Sequence, residues 1–114
     1  MQINIAKETY EAKWYKMEDG SELKIRPYTV GQGDFIFRDG ELVQSGQSRW
    51  KMFDYSLIDW KGVTDQDGNA LKLSDEIKQM VFDYALGDIP IFVINTNGEL
   101  LIERREQEKN LQSG

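Results

Sequence analysis

The sequence predicts a single α+β domain in which two N-terminal β-hairpins pack against two or three C-terminal α-helices. Gly-containing polar turns separate short alternating segments in the first half, whereas apolar residues recur at helical spacing in the second. The length of 114 residues fits one domain better than two. We therefore predict a hairpin part at 13–44, a helical part at 47–110 and a frayed tail at 111–114.

The first predicted hairpin has strands at 14–17 and 22–26 around a polar turn at 18–21. From Leu23 onwards, apolar and basic residues alternate, which is the period of a half-buried strand. Pro27 has no backbone N–H to donate, so it ends the ladder.

The second predicted hairpin has strands at 35–38 and 41–43 around Asp39 and Gly40. Asp-Gly is a favoured two-residue connection of type I′, because both of its positions need positive φ. The register that follows pairs Ile36 with Val43, Phe37 with Leu42 and Arg38 with Glu41.

The helical part opens with apolar residues at i, i+3, i+7 and i+10, which are Trp50, Phe53, Leu57 and Trp60. This stripe predicts one α-helix. We expect Ser48 to be its N-cap and Gly62 to end it. A turn-rich stretch follows, with a small hairpin expected about Gly68 and Asn69.

The second predicted helix begins after Ser74, a good N-cap followed by two acids in the first turn. Its apolar positions run from Ile77 to Ala85 at helical spacing, and Gly87 stands where a C-terminal glycine belongs. The last segment has two interpretations. A helix from Ile89 onwards is favoured, and a hairpin with an Asn97-Gly98 turn is the alternative.

The composition excludes several kinds of site. The chain has no His and no Cys, so the common zinc sites, nucleophilic dyads built on these residues and disulfides cannot form. The net charge is −6 with no basic stripe, which argues against a nucleic-acid partner. We predict that the protein is not an enzyme and has no cofactor, catalytic residue or metal site.

Two loops contain parts of known ligand-binding motifs. Asp65, Asp67 and Gly68 fit the middle of a calcium loop, but Val63 and Ser74 then occupy the positions of its first and last carboxylates. The segment 31–33 lacks the third glycine and the lysine of a phosphate loop. Both are interpreted as turns.

No apolar run approaches the roughly 20 residues of a spanning helix, so we expect no membrane partner and a cytosolic protein.

A domain of this size has a thin core, and apolar residues left over from it are candidates for contact with other proteins. On the far side of the first predicted helix these are Met52, Tyr55 and Ile58; near the end of the chain they are Ile91, Ile94, Leu101 and Ile102. We therefore expect the protein to associate, either with copies of itself as a homo-oligomer or with another protein. The final segment is the preferred contact region.

One stretch, DWKGVTDQDGNAL at 59–71, resembles a pattern of small proteins from the tail gene clusters of tailed phages and prophages. The segment 19–28 is similar to the opening hairpin of that group, and 106–110 is similar to its C-terminal ends. The resemblance covers roughly 14–110 and points to the tail assembly chaperone type.

That resemblance implies a protein of the bacterial host cytoplasm that coats the tape measure protein until the tail tube forms around it, often as an oligomer. No catalytic residue comes with it. Two other interpretations remain open, namely a minor tail or baseplate-associated structural protein, and a small host-directed adaptor that binds protein.

Overall fold

The computed structural model describes residues 1–3, 5–29, 35–38, 41–44 and 46–113. In chain order the strands and helices are β1 (Lys13–Lys16), β2 (Glu22–Ile25), β3 (Phe35–Arg38), β4 (Glu41–Gln44), α1 (Gly46–Ser56), β5 (Leu57–Lys61), α2 (Asp75–Asp83) and α3 (Ile89–Ser113). Short 3-10 turns lie at Lys7–Tyr10 and Leu86–Asp88. The predicted α+β class is confirmed.

The predicted first hairpin is present, and a third strand extends it. β1 pairs with β2 and β2 pairs with β5, all antiparallel, so β2 is the central strand of a three-stranded sheet. In the β1–β2 turn, the carboxylate of Asp19 accepts hydrogen bonds from the backbone N–H and the hydroxyl of Ser21. These bonds hold the pKa of Asp19 below its ordinary value.

The strand β5 corrects the prediction of one helix through Trp60. α1 ends at Ser56, and Leu57 and Trp60 lie in a strand. Residues three apart on a regular strand face opposite ways, but the register shifts opposite Lys24 and Ile25, and this bulge turns both residues inward. Helical spacing thus arose from a helix followed by a bulged strand.

The ends predicted for that helix also differ from the structure. Gly62 follows β5 rather than a helix, and α1 begins at Gly46, so Ser48 lies inside it. The predicted pairing of β3 with β4 is confirmed residue by residue, and the two strands form a separate two-stranded sheet. The predicted turn at Asp39 and Gly40 and the loop at 31–33 lie outside the described residues.

The connection after β5 contains the expected small hairpin. Thr64 bridges Ala70, and Gly68, which has a φ of +83°, donates its N–H to the carbonyl of Asp65 over 3.1 Å. Positive φ at this position suits glycine, since it has no Cβ. Trp60 supports the hairpin from below, because its indole N–H donates to the carbonyl of Leu71 over 2.8 Å.

The start of α2 is as predicted, because the Ser74 hydroxyl accepts a hydrogen bond from the N–H of Ile77 over 3.2 Å. The helix ends at Asp83, and Ala85 adopts the left-handed conformation just beyond it, before the predicted Gly87. α3 confirms a helix rather than a hairpin for the last segment. It continues to Ser113, into the predicted frayed tail, whose final residue lies outside the described chain.

The core lies between the sheet and the three helices. It is built from Leu23, Ile25, Phe53, Leu57, Trp60, Val81, Ile89 and Val93.

A polar contact joins α2 to the end of α1. The ammonium of Lys78 donates to the carbonyl of Asp54 over 2.9 Å and lies 3.5 Å from the carboxylate of that residue. A cation at a helix C-terminus is favourable, so this contact stabilises the packing of α2 on α1.

Candidate protein-contact surface

α3 is apolar on two opposite faces. Its inner face places Ile89 and Val93 in the core. At 100° per residue, a second set of apolar positions falls within an arc of about 100° on the other side. We call this set the α3 outer stripe, and it consists of Ile91, Ile94, Gly98, Leu101 and Ile102.

The α3 outer stripe is open to solvent. Ile91 is 52% exposed and Ile102 is 59% exposed, while Ile94 and Leu101 are half-buried. No atom comes within 4 Å of the position that a Cβ would take at Gly98. Four of the seven residues predicted to contact partners therefore lie on one face of one helix.

The other three predicted contact residues do not belong to this stripe. Met52 is only 3% exposed, so the expectation that it faces outward is wrong; it and its neighbour Phe53 are both buried because α1 is enclosed over more than one stripe. Tyr55 is half-buried, and the guanidinium of Arg26 lies 3.8 Å from the centre of its ring. Ile58 is exposed, but it lies on β5.

A buried polar network that the sequence did not suggest holds α3 in place. Asn97 is buried on the inner side of α3, and its side-chain amide donates to the hydroxyl of Ser56. Its side-chain carbonyl accepts a hydrogen bond from the N–H of Tyr28 over 2.8 Å. The available signal was position, since Asn97 is one helical turn after Val93 on the inner face. The network fixes which face of α3 points outward.

An open groove of about 1020 Å³ lies between the N-terminal segment and the far half of α3. Ile3, Ile5 and Leu100 contribute apolar surface, and Glu103 and Arg104 contribute charges. Nearby, burial raises the pKa of Tyr15, and the carboxylate of Glu103 adds to the shift. The groove joins apolar side chains to charges of both signs, which suits contact with a peptide chain.

In the turn that resembles part of a calcium loop, the carboxylate of Asp65 binds backbone groups of the turn itself. Asp65 accepts hydrogen bonds from the backbone N–H groups of Asp67 and Asn69, each over 2.9 Å. These bonds lower the pKa of Asp65. Within the described ranges, no group of three or more acidic side chains is arranged to hold a metal ion.

A scan against protein-family models, a search of curated proteins and a search of solved structures each gave no significant match. Among the described residues, no helix is both long and apolar enough to cross a membrane. Fold and surface together define an α+β protein whose helix α3 carries a partly exposed apolar face.

Proposed function

We propose that this protein binds another protein through the α3 outer stripe. The observation that carries the proposal is the pair Ile91 and Ile102, three turns apart on one helix face and each more than half exposed. Complete burial of such a side chain from full exposure contributes about 1.5–3 kcal/mol, and roughly half of that surface is still exposed on each residue. The two side chains, with Gly98 between them, therefore offer an apolar contact for a partner helix.

We further propose that the partner is a tape measure protein and that this chain is a tail assembly chaperone. A long helical partner with apolar stripes suits a helix face of this length and chemistry. The sequence resemblance supplies the specific partner. The main stretch of that resemblance, 59–71, lies in β5 and in the hairpin after it, so it concerns residues that build the fold. The proposed contacts lie elsewhere, on α3.

The direct test is co-expression with a tape measure protein, which the proposal expects to be encoded next to this chain. We expect the parent chain to keep the tape measure soluble and to co-purify with it. Ile91→Glu and Ile102→Glu should each weaken that complex by about tenfold or more, because a charge would replace buried apolar surface.

Met80→Glu is the matched control, since Met80 is 51% exposed and lies on α2. It should leave the complex unchanged. A parent chain that captures no tape measure protein, or outer-stripe variants that bind as well as Met80→Glu, would refute the proposal. Circular dichroism of each variant verifies that the fold persists.

Mass spectrometry of finished particles separates the chaperone from a structural tail component. A chaperone leaves when the tube has assembled, so we expect the protein to be absent from purified virions. Stoichiometric presence there would favour the minor tail or baseplate interpretation.

Sedimentation of the purified parent chain, compared with that of Ile91→Glu, would show whether the α3 outer stripe also joins copies of this chain, as the expected homo-oligomer requires.

A further inference from the structure

The three-stranded sheet has an outer face directed away from the core. Leu23, Ile25, Leu57 and Trp60 are buried on the inner face. Since successive strand residues face opposite ways, their neighbours point outward. We call these residues the sheet outer face, and they are Trp14, Lys16, Glu22, Lys24, Asp59 and Lys61.

Trp14 lies on the edge strand β1, and its ring is beside two lysines of this face. The ammonium of Lys61 is 4.1 Å from the centre of the Trp14 ring, and that of Lys24 is 5.9 Å from it. The indole is nevertheless 36% exposed. Cation–π contacts of this kind hold the ammonium groups close to the ring while leaving apolar ring surface for a ligand.

The sheet is the basic part of an acidic molecule. Of the four lysines in β1, β2 and β5, three lie on the sheet outer face together with two acids, which gives this face a net charge of +1 and leaves −7 on the rest of the chain. Asp59 already accepts a hydrogen bond from the N–H of Trp60 over 2.8 Å. In the described part of the chain, no ion pair within 4.0 Å joins Lys16, Lys24 or Lys61 to a carboxylate.

We propose that the sheet outer face binds an acidic segment of a partner protein. Carboxylates of the segment would pair with Lys16, Lys24 and Lys61, and an apolar side chain would cover Trp14. Glu22 and Asp59 stand between the lysines and leave separated positive charges. Such spacing suits carboxylates placed at intervals along a peptide better than the continuous row of charges of a phosphate backbone.

This surface is additional to the proposed contact of α3. The sheet and the inner face of α3 pack on the same core, so the sheet outer face and the α3 outer stripe point away from it on different sides. The two surfaces can be disabled separately. Loss of one would leave the other intact, and the two proposals are therefore tested by different variants.

The experiment is an NMR titration of the full chain with a short synthetic peptide rich in Glu and containing one Leu. The Trp14 indole N–H signal, assigned with Trp14→Phe, should shift, and added salt should reverse the shift. Lys24→Glu combined with Lys61→Glu should weaken binding by about tenfold or more. Lys72→Glu, a single charge reversal at an exposed lysine outside the sheet, should not.

A peptide that leaves the Trp14 signal unmoved at low salt would overturn the proposal, as would equal binding by the double variant and Lys72→Glu. A single-stranded oligonucleotide is titrated in parallel, and tighter binding of the oligonucleotide would replace the acidic peptide by a nucleic acid. If the double charge reversal does not fold, Lys24→Gln and Lys61→Gln are measured singly, and each should weaken binding.

Discussion

Asn97 in the middle of α3 donates a hydrogen bond over 3.1 Å to the hydroxyl of Ser56, the last residue of α1. The same amide nitrogen donates to the carbonyl of Val93 over 3.0 Å. Its carbonyl oxygen accepts from the N–H of Tyr28, and all of these groups are buried. One side chain therefore joins α1, α3 and the segment after β2, and it sets the rotation that turns the α3 outer stripe to solvent.

Asn97→Ala should lower the free energy of unfolding by about 1–3 kcal/mol, because the N–H of Tyr28 and the hydroxyl of Ser56 both lose a buried partner. Urea denaturation measures the loss. Asn95→Ala is the control, since Asn95 is exposed on the same helix and should change stability by no more than about 0.5 kcal/mol. Equal effects of the two variants would contradict the role given to Asn97.

The sequence predicted the elements that depend on local signals. The β3–β4 register followed from a favoured turn, and the start of α2 followed from Ser74. β5 was missed because a bulge placed Leu57 and Trp60 on one face of a strand at a spacing that also fits a helix. A bulge depends on the pairing with the neighbouring strand, so no local sequence pattern predicts it.

The candidate site was predictable only where it depends on local helical spacing. Ile91 and Ile102 stood out because a helix from Ile89 has more apolar residues than one inner face can bury. Met52 was misplaced because its burial depends on what packs around α1. Trp14 and the lysines of β2 and β5 meet only through strand pairing, so the sheet outer face could not be inferred before the sheet order was known.

Trp60→Ala should lower the free energy of unfolding by about 3–5 kcal/mol, because it removes a buried aromatic side chain from the core. Trp60→Phe keeps most of that surface but loses the hydrogen bond to the carbonyl of Leu71. We expect it to cost about 1 kcal/mol and to perturb the amide signals of the hairpin at 64–70. Thermal melts and NMR spectra provide both measurements. A Trp60→Ala variant that melts like the parent would contradict the core assignment.

Stability should fall in acid partly through Asp65. Hydrogen bonds in the folded turn lower its pKa, so its contribution is present above its ordinary pKa and is lost as pH falls through the folded value. Asp65→Asn should therefore flatten the decline of the urea midpoint below about pH 4. Asp67→Asn is the matched control, because Asp67 gives its backbone N–H to this network, and it should follow the profile of the parent. A steeper decline in Asp65→Asn would reverse the assignment.

Gly98→Ala should raise the free energy of unfolding by about 0.5–1 kcal/mol, since Gly98 lies within α3 and has nothing within 4 Å of an added Cβ. Gly62→Ala should do the opposite. Gly62 has a φ of +77°, and an added Cβ would lie 3.4 Å from the Cα of Ser21. Urea denaturation of both variants tests the contrast. A loss of stability in Gly98→Ala would mean that the middle of the α3 outer stripe is already covered, and the stripe could not then receive a partner helix in the way proposed.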